Sequence, residues 1–218
     1  MLRTPRRGPT SALLLALAGI VLSIAAASPL AAGANRWTPV GPSGGAARAV
    51  AAAATQPGTA YAVVADRVYR TADAGTTWKP TTALPHGVTV NALTVDPQYA
   101  GTVYAATDLG LFRTTNGGAL WSPTSLTDPT ATVAIAPSDS ATLYAVGSDR
   151  SFHASGDAGL TWSDVTPPIG DPRLGGIYSV AVDPQAPATV YAGAQVAYVG
   201  AFVFRSSDGG KSWGRGFL

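Results

Sequence analysis

The chain contains no cysteine, and no glutamate either: all 12 of its acidic residues are aspartate. Without cysteine there is no disulfide to stabilise the fold, no thiolate nucleophile and no lipid attachment at a cleaved lipobox. Histidine is reduced to His86 and His153, and no H-E-x-x-H or cysteine cluster is present, so no metal site is expected. No cofactor is expected. Charge is also scarce, at 12% of residues. The 14 basic residues include Arg3, Arg6 and Arg7 at the extreme N-terminus. Set aside those three and 11 basic residues face 12 acidic ones, a net charge of −1. That balance excludes the basic footprint of a nucleic-acid binder. Helical periodicity is missing beyond residue 34.

The first 34 residues read as an export signal. The three arginines form a basic head, and an apolar run extends from Ala12 to Ala27. Ser28-Pro29 breaks it, and Ala32-Gly33-Ala34 is a small-x-small cleavage site. The run is shorter than the ~20 residues of a spanning helix, which favours cleavage over a retained anchor. The expected destination is secreted, periplasmic or cell-envelope, with membrane contact only through an uncleaved signal. A mature domain over 35–218 is long enough to bury a sizeable core.

What is abundant is tryptophan at regular intervals. Trp37, Trp78, Trp121, Trp162 and Trp213 are separated by 41, 43, 41 and 51 residues. A period in that range marks a propeller or solenoid. Each unit holds four β-rich runs. In the second unit they are NALTV, TVYAAT, LFRTT and ALWSPT. Asn116-Gly117 sits between the last two, and Asn-Gly is a strong hairpin signal. Four short antiparallel strands in ~40 residues make one propeller blade. The fold is therefore all-β, a propeller of about four four-stranded antiparallel blades, over residues 46–83, 88–126, 130–168 and 176–218. Second strands centre on Tyr61, Tyr104, Tyr144 and Tyr191. Third strands carry Tyr69, Phe112, Phe152 and Phe204, followed by Arg70, Arg113, His153 and Arg205. The aromatic residues are read as pegs between blades, and the tryptophans as part of the fourth strands.

The turn before each tryptophan has its own pattern: TADAGTTW, TTNGGALW, SGDAGLTW and SSDGGKSW. Asp73, Asn116, Asp157 and Asp208 can accept hydrogen bonds from amides a few residues on. Gly75, Gly118, Gly159 and Gly210 supply a permissive backbone. The pattern [ST]-x-D-x-G-x-[ST]-W resembles the Asp-box of BNR-repeat propellers, which occur in sialidases, xyloglucanases, sortilin-type receptors and photosystem II assembly factors. The resemblance runs from Arg36 to Trp213. The second box departs from it, with Asn116 for Asp and Leu120 for Ser/Thr, so its turn is expected to be weaker. In that family the box implies a fold and not an activity.

Blade geometry narrows the search for a site. First-to-second and third-to-fourth turns share one face, and second-to-third turns and inter-blade links share the other. Both departures from the repeat fall on the second face. The link between Trp162 and Tyr178 is expanded. Tyr191 and Phe204 are 13 residues apart, against 8 for the equivalent pairs. Candidate ligand-binding residues are Asp171, Arg173, Tyr178 and Tyr198, with Asp66, Asp108, Asp149 and Arg150 on equivalent turns of other blades.

Enzymatic motifs fail one by one. Gly41-Pro42-Ser43-Gly44-Gly45 spells a nucleophile elbow, but that elbow needs a strand-to-helix turn and a histidine partner. Gly210-Lys211-Ser212 resembles the end of a P-loop without its first glycine. The resemblance to sialidases implies a tyrosine nucleophile assisted by glutamate, and there is no glutamate. A two-aspartate glycosidase of the xyloglucanase type stays compatible with the composition. No catalytic residue is assigned. The reading is an exported, non-catalytic propeller that binds a protein or glycan on the inserted face. The alternatives are an Asp-box glycosidase or a fragment of a longer propeller. Arg36 to Val40 reads as a lone fourth-type strand, while the last unit has its own at Lys211–Arg215. The chain is then either a closed four-blade ring or a partial, open one, and an open arc invites self-association through unpaired sheet edges.

Overall fold

The computed structural model describes residues 39–168, 174–196 and 200–217. The signal-like segment and Trp37 lie outside these residues. Four antiparallel sheets of four strands follow one another in chain order. The first is β1 (Ala47–Ala52), β2 (Ala60–Val64), β3 (Arg67–Thr71) and β4 (Lys79–Pro80). The second is β5 (Val90–Val95), β6 (Val103–Thr107), β7 (Gly110–Thr114) and β8 (Ser122–Pro123). The third is β9 (Thr130–Ala136), β10 (Asp139–Gly147), β11 (Phe152–Ser155) and β12 (Ser163–Asp164). The fourth is β13 (Leu174–Val182), β14 (Val190–Val196), β15 (Gly200–Ser206) and β16 (Gly214–Phe217). These are propeller blades, each paired only within itself.

Three apolar cores fill the three seams between successive blades. The second strands explain why the seams are tight. In β6 every residue of VYAAT is buried, because alternate side chains face the preceding and the following blade. Alanine and valine let the sheets approach closely, and one tyrosine per strand reaches across. The Tyr61 hydroxyl donates to Ala100 O at 3.0 Å, Tyr104 to Ala158 O at 2.9 Å and Tyr144 to Pro187 O at 2.9 Å. Each tyrosine therefore latches its blade to the next.

The predicted two-face arrangement is present. Ala74, Gly117, Ala158 and Gly209 N–H groups each donate to a first-to-second turn carbonyl of their own blade at 2.9 Å (Gly58, Gly101, Ala141 and Ala188). The tryptophans do not lie within the fourth strands as expected; those strands begin one residue later, at Lys79, Ser122, Ser163 and Gly214. The indole instead faces the previous blade. Trp78 Nε1 donates to Val40 O, and Trp213 Nε1 to Val165 O, both at 2.8 Å.

Two expectations need correction. In the third blade Phe152 is not the equivalent of Phe112. His153 pairs with Ala145 as Phe112 pairs with Ala105, and Ala154 pairs with Tyr144 as Arg113 pairs with Tyr104. The slip arises because the second-to-third connection carries an extra residue. Gly147 N–H donates to Ser151 O at 2.9 Å, closing the three-residue loop Ser148 to Arg150, where blades one and two use two residues. The long connection in blade four is also not mainly a loop. The β14–β15 ladder continues to Val196↔Gly200, five residues past Tyr191, while β6–β7 stops at Thr107↔Gly110, three past Tyr104. Two further residues of strand project this hairpin ~7 Å beyond its neighbours.

Among the described residues the arc is open at both ends. Tyr191 is 37% exposed, while Tyr61, Tyr104 and Tyr144 are buried. Val50 is 73% exposed, while its repeat equivalents Leu93 and Val133 are 7% and 3% exposed and Val180 is partly buried. Blade four has no following blade among the described residues, and blade one no preceding one. The open surfaces are blade faces rather than the strand edges expected from the sequence.

Candidate functional site

The third-to-fourth turns satisfy themselves. Asp73 Oδ1 accepts from Thr71 Oγ1 and Thr77 N at 2.8 Å, and Oδ2 from Thr77 Oγ1 at 2.6 Å. Asp157 and Asp208 repeat the set with Ser155 and Thr161, and with Ser206 and Ser212. Asn116 keeps the bonds from Thr114 Oγ1 and Leu120 N, but Leu120 has no hydroxyl to give. Hydrogen bonds from the residue four positions on, hydroxyl first and then amide, hold Asp73, Asp157 and Asp208 at about 2, with the preceding Ser/Thr hydroxyl adding to them. These carboxylates are committed to their own loops.

The opposite face behaves differently at the seam of blades three and four. The extra residue in the third-blade loop places Arg150 in the left-handed region, φ 74°. Its guanidinium lies over the Tyr178 ring, 4.8 Å from the centroid, and donates to Gly175 O. Gly176, φ +96°, makes this contact fit: a Cβ there would meet the Arg150 side chain at 2.4 Å. Tyr178 is 48% exposed. The result is a cation–aromatic platform, fixed by a backbone carbonyl and open to solvent.

Beside it, Asp149 Oδ1 accepts from Ser151 N at 3.0 Å and Ser151 Oγ at 2.6 Å, and that Oγ lies 2.8 Å from His153 Nε2. His153 pairs across the strands with Asp164, whose Oδ1 accepts from Thr166 N at 2.8 Å. Ser151 hydrogen bonds and then the His153 charge hold Asp149 below the usual carboxylate range. Asp164 is lowered chiefly by Thr166. Serine, histidine and aspartate here do not form a nucleophilic triad. The serine proton goes to the carboxylate, so the imidazole donates to the serine and cannot deprotonate it.

Of the residues singled out from sequence, Arg150, Asp149 and Tyr178 come together. Asp66 is elsewhere, paired with Arg48 at 3.8 Å. Asp108 accepts from Thr89 N at 2.9 Å and ties the β6–β7 turn to the residue that precedes β5. Asp171, Arg173 and Tyr198 lie outside the described residues. Ser151, His153, Asp164, Gly175 and Gly176 were not singled out. The one signal visible in the sequence was that His153 follows the third-strand aromatic where the other blades have arginine; its place opposite Asp164 appears only in the ladder. No group of three metal-ligating side chains occurs among the described residues.

Grooves also run along the seams. Those of blades one–two and two–three hold about 490 and 240 Å³. The blade three–four groove holds about 1020 Å³, lined by Tyr144, Ala154, Asp164, Asp208, Lys211 and Trp213 among others.

No protein-family model matches the chain, and no curated protein does. Among solved structures, an ancestral GH74 enzyme superposes with a TM-score of 0.66 at 24% identity, over 83% of this chain. A YCF48 protein from Cyanidioschyzon merolae superposes at 0.53 and 18%, over 79%. The chain spans 25% of the first protein and 56% of the second. At these identities the likeness establishes a β-propeller fold. With 335 solved chains matching, that fold alone selects no activity.

Proposed function

We propose that this chain is an exported, non-catalytic propeller of the Asp-box type that binds a protein or glycan on the second-to-third turn face. The Arg150–Tyr178 platform carries the reading. An exposed aromatic ring with few rotatable bonds, held by a stacked guanidinium, suits a sugar ring or a peptide side chain equally well. The projecting β14–β15 hairpin adds a wall on the same face. Five aspartates are unsuited to acid catalysis of glycoside hydrolysis. An acid catalyst needs a carboxyl whose pKa is raised, whereas Asp73, Asp149, Asp157, Asp164 and Asp208 are all lowered. The signal-like segment supports a secreted, periplasmic or cell-envelope location.

The test is a glycan array and a peptide array probed with the wild-type chain, Tyr178→Ala and Arg150→Ala. Ligands that lose about tenfold or more in affinity with Tyr178→Ala fit an aromatic anchor. Ligands bound equally by all three proteins place recognition elsewhere. Release of reducing ends from any bound oligosaccharide overturns the non-catalytic reading.

A further inference from the structure

Each blade sets a residue against its second-strand tyrosine across the β-ladder. Tyr61 faces Arg70, Tyr104 faces Arg113 and Tyr191 faces Arg205. Two of these arginines lie over the ring they face, Arg113 at 5.6 Å from the Tyr104 centroid and Arg205 at 6.0 Å from that of Tyr191. Arg70 and Arg113 line the seam grooves that follow their blades. In blade three the partner of Tyr144 is Ala154. The one-residue slip has removed the guanidinium, and the groove beside Ala154 is more than twice as large as the other two.

We propose that the groove between blades three and four binds an arginine side chain of a protein partner, seated against Tyr144 and Ala154 in the place that Arg70 and Arg113 occupy in their own blades. The pocket's surroundings suit a guanidinium. Among the described residues Asp164 and Asp208, the latter with its loop hydrogen bonds in place, line it with one cation, the exposed Lys211. The Asp208 carboxylate is close enough to act on the buried Tyr144 hydroxyl. Gly209, at φ +74°, lies over that hydroxyl, 3.7 Å from where a Cβ would stand. The Tyr144 ring is buried and already stacked on Phe152, 6.0 Å between centroids, so a guanidinium beside Ala154 gains from the two carboxylates rather than from the ring face. Lysine has neither the plane nor the fork. This groove opens toward the third-to-fourth turns, so the inference is independent of the Arg150–Tyr178 platform.

The experiment is a titration of the isotope-labelled full chain with N-acetyl-arginine methylamide, read by amide NMR. The expected result is a saturable shift centred on Tyr144, Ala154 and Gly209, with N-acetyl-citrulline methylamide about tenfold weaker because it keeps the shape and loses the charge. Ala154→Arg restores the side chain found in the other blades and removes the response. Equal shifts with citrulline, no saturable response to arginine, or an unchanged response in a folded Ala154→Arg protein would each overturn the proposal. The citrulline comparison needs no variant, so the test stands even where Ala154→Arg fails to fold.

Discussion

The carbonyl of Val40 receives the Trp78 indole N–H at 2.8 Å, just as the carbonyl of Val165 receives that of Trp213. The likeness extends to the glycine beneath. A Cβ on Gly75 would meet Val40 at 3.0 Å, and one on Gly210 would meet Val165 at 2.7 Å. Val40 thus plays for blade one the part that the end of a preceding blade plays for blade four. The joint is a tryptophan that donates and a glycine that makes room.

Glycine at these joints is therefore required twice, for φ near +90° and for space. Gly118→Ala brings a Cβ to 2.4 Å from Thr81 Cγ2 with φ +87°. The expected loss is about 2–4 kcal/mol from backbone strain and overpacking together. Gly75→Ala has the same φ but faces the half-exposed Val40, which can shift, so about 1–2 kcal/mol is expected. Denaturant unfolding of both variants checks the order. Equal losses would mean that the contact with the preceding blade contributes nothing.

The tyrosine latches separate in the same way. Tyr61→Phe, Tyr104→Phe and Tyr144→Phe each remove a hydrogen bond to the next blade and leave a carbonyl short of a donor, at a cost of about 1–2 kcal/mol. Tyr191→Phe removes a hydroxyl from an exposed ring and should stay within about 0.5 kcal/mol of wild type. Unfolding midpoints of the four variants test this, and a large loss at Tyr191 would contradict an open end at blade four.

The repeat was legible because one tryptophan per blade fixed the period, and because alternating small apolar residues around a tyrosine fixed each second strand. The self-bonded turns were legible for the same reason, since donor and acceptor lie within four residues. What sequence spacing could not settle was register. Phe152-His153 offers two side chains for one aromatic position, and only the ladder shows that the loop before it holds an extra residue. That single slip hides the large groove, because it puts Ala154 opposite Tyr144 where His153 was expected. The stacking of Arg150 on Tyr178 was equally hidden, since it joins two blades. Strand and loop also look alike between Tyr191 and Phe204, where alternating small and apolar residues continue through the insertion.

The three acid turns predict a pH dependence. Asp73, Asp157 and Asp208 titrate at about 2 when folded and near 3.9 when unfolded. A depressed folded pKa stabilises above the unfolded value and ceases to do so as pH falls through the folded one. Thermal midpoints should therefore hold to about pH 4 and fall between pH 4 and 2. Asn116 takes no part. Asn116→Asp combined with Leu120→Thr completes the fourth turn, and should raise the midpoint at pH 7 and steepen the acid loss. An unchanged slope below pH 4 would show that the fourth carboxylate is not held by its loop.

The two open faces predict association. Tyr191 occupies a position that is buried in the other three blades, and Val50 one that is buried in blades two and three and partly buried, as Val180, in blade four. Light scattering of the purified chain should show mass rising with concentration above 21.9 kDa. Val50→Arg and Tyr191→Arg each place a charge on one face without touching the interior, so each alone should lower that mass. A head-to-tail contact has one further property: it uses different patches on the two copies. Mixing the two variants leaves one intact Val50 face and one intact Tyr191 face. The mixture should therefore recover a dimer that neither variant forms alone. A wild-type chain that stays at its monomer mass at all concentrations, or a mixture that fails to recover, would show that the faces do not recognise each other.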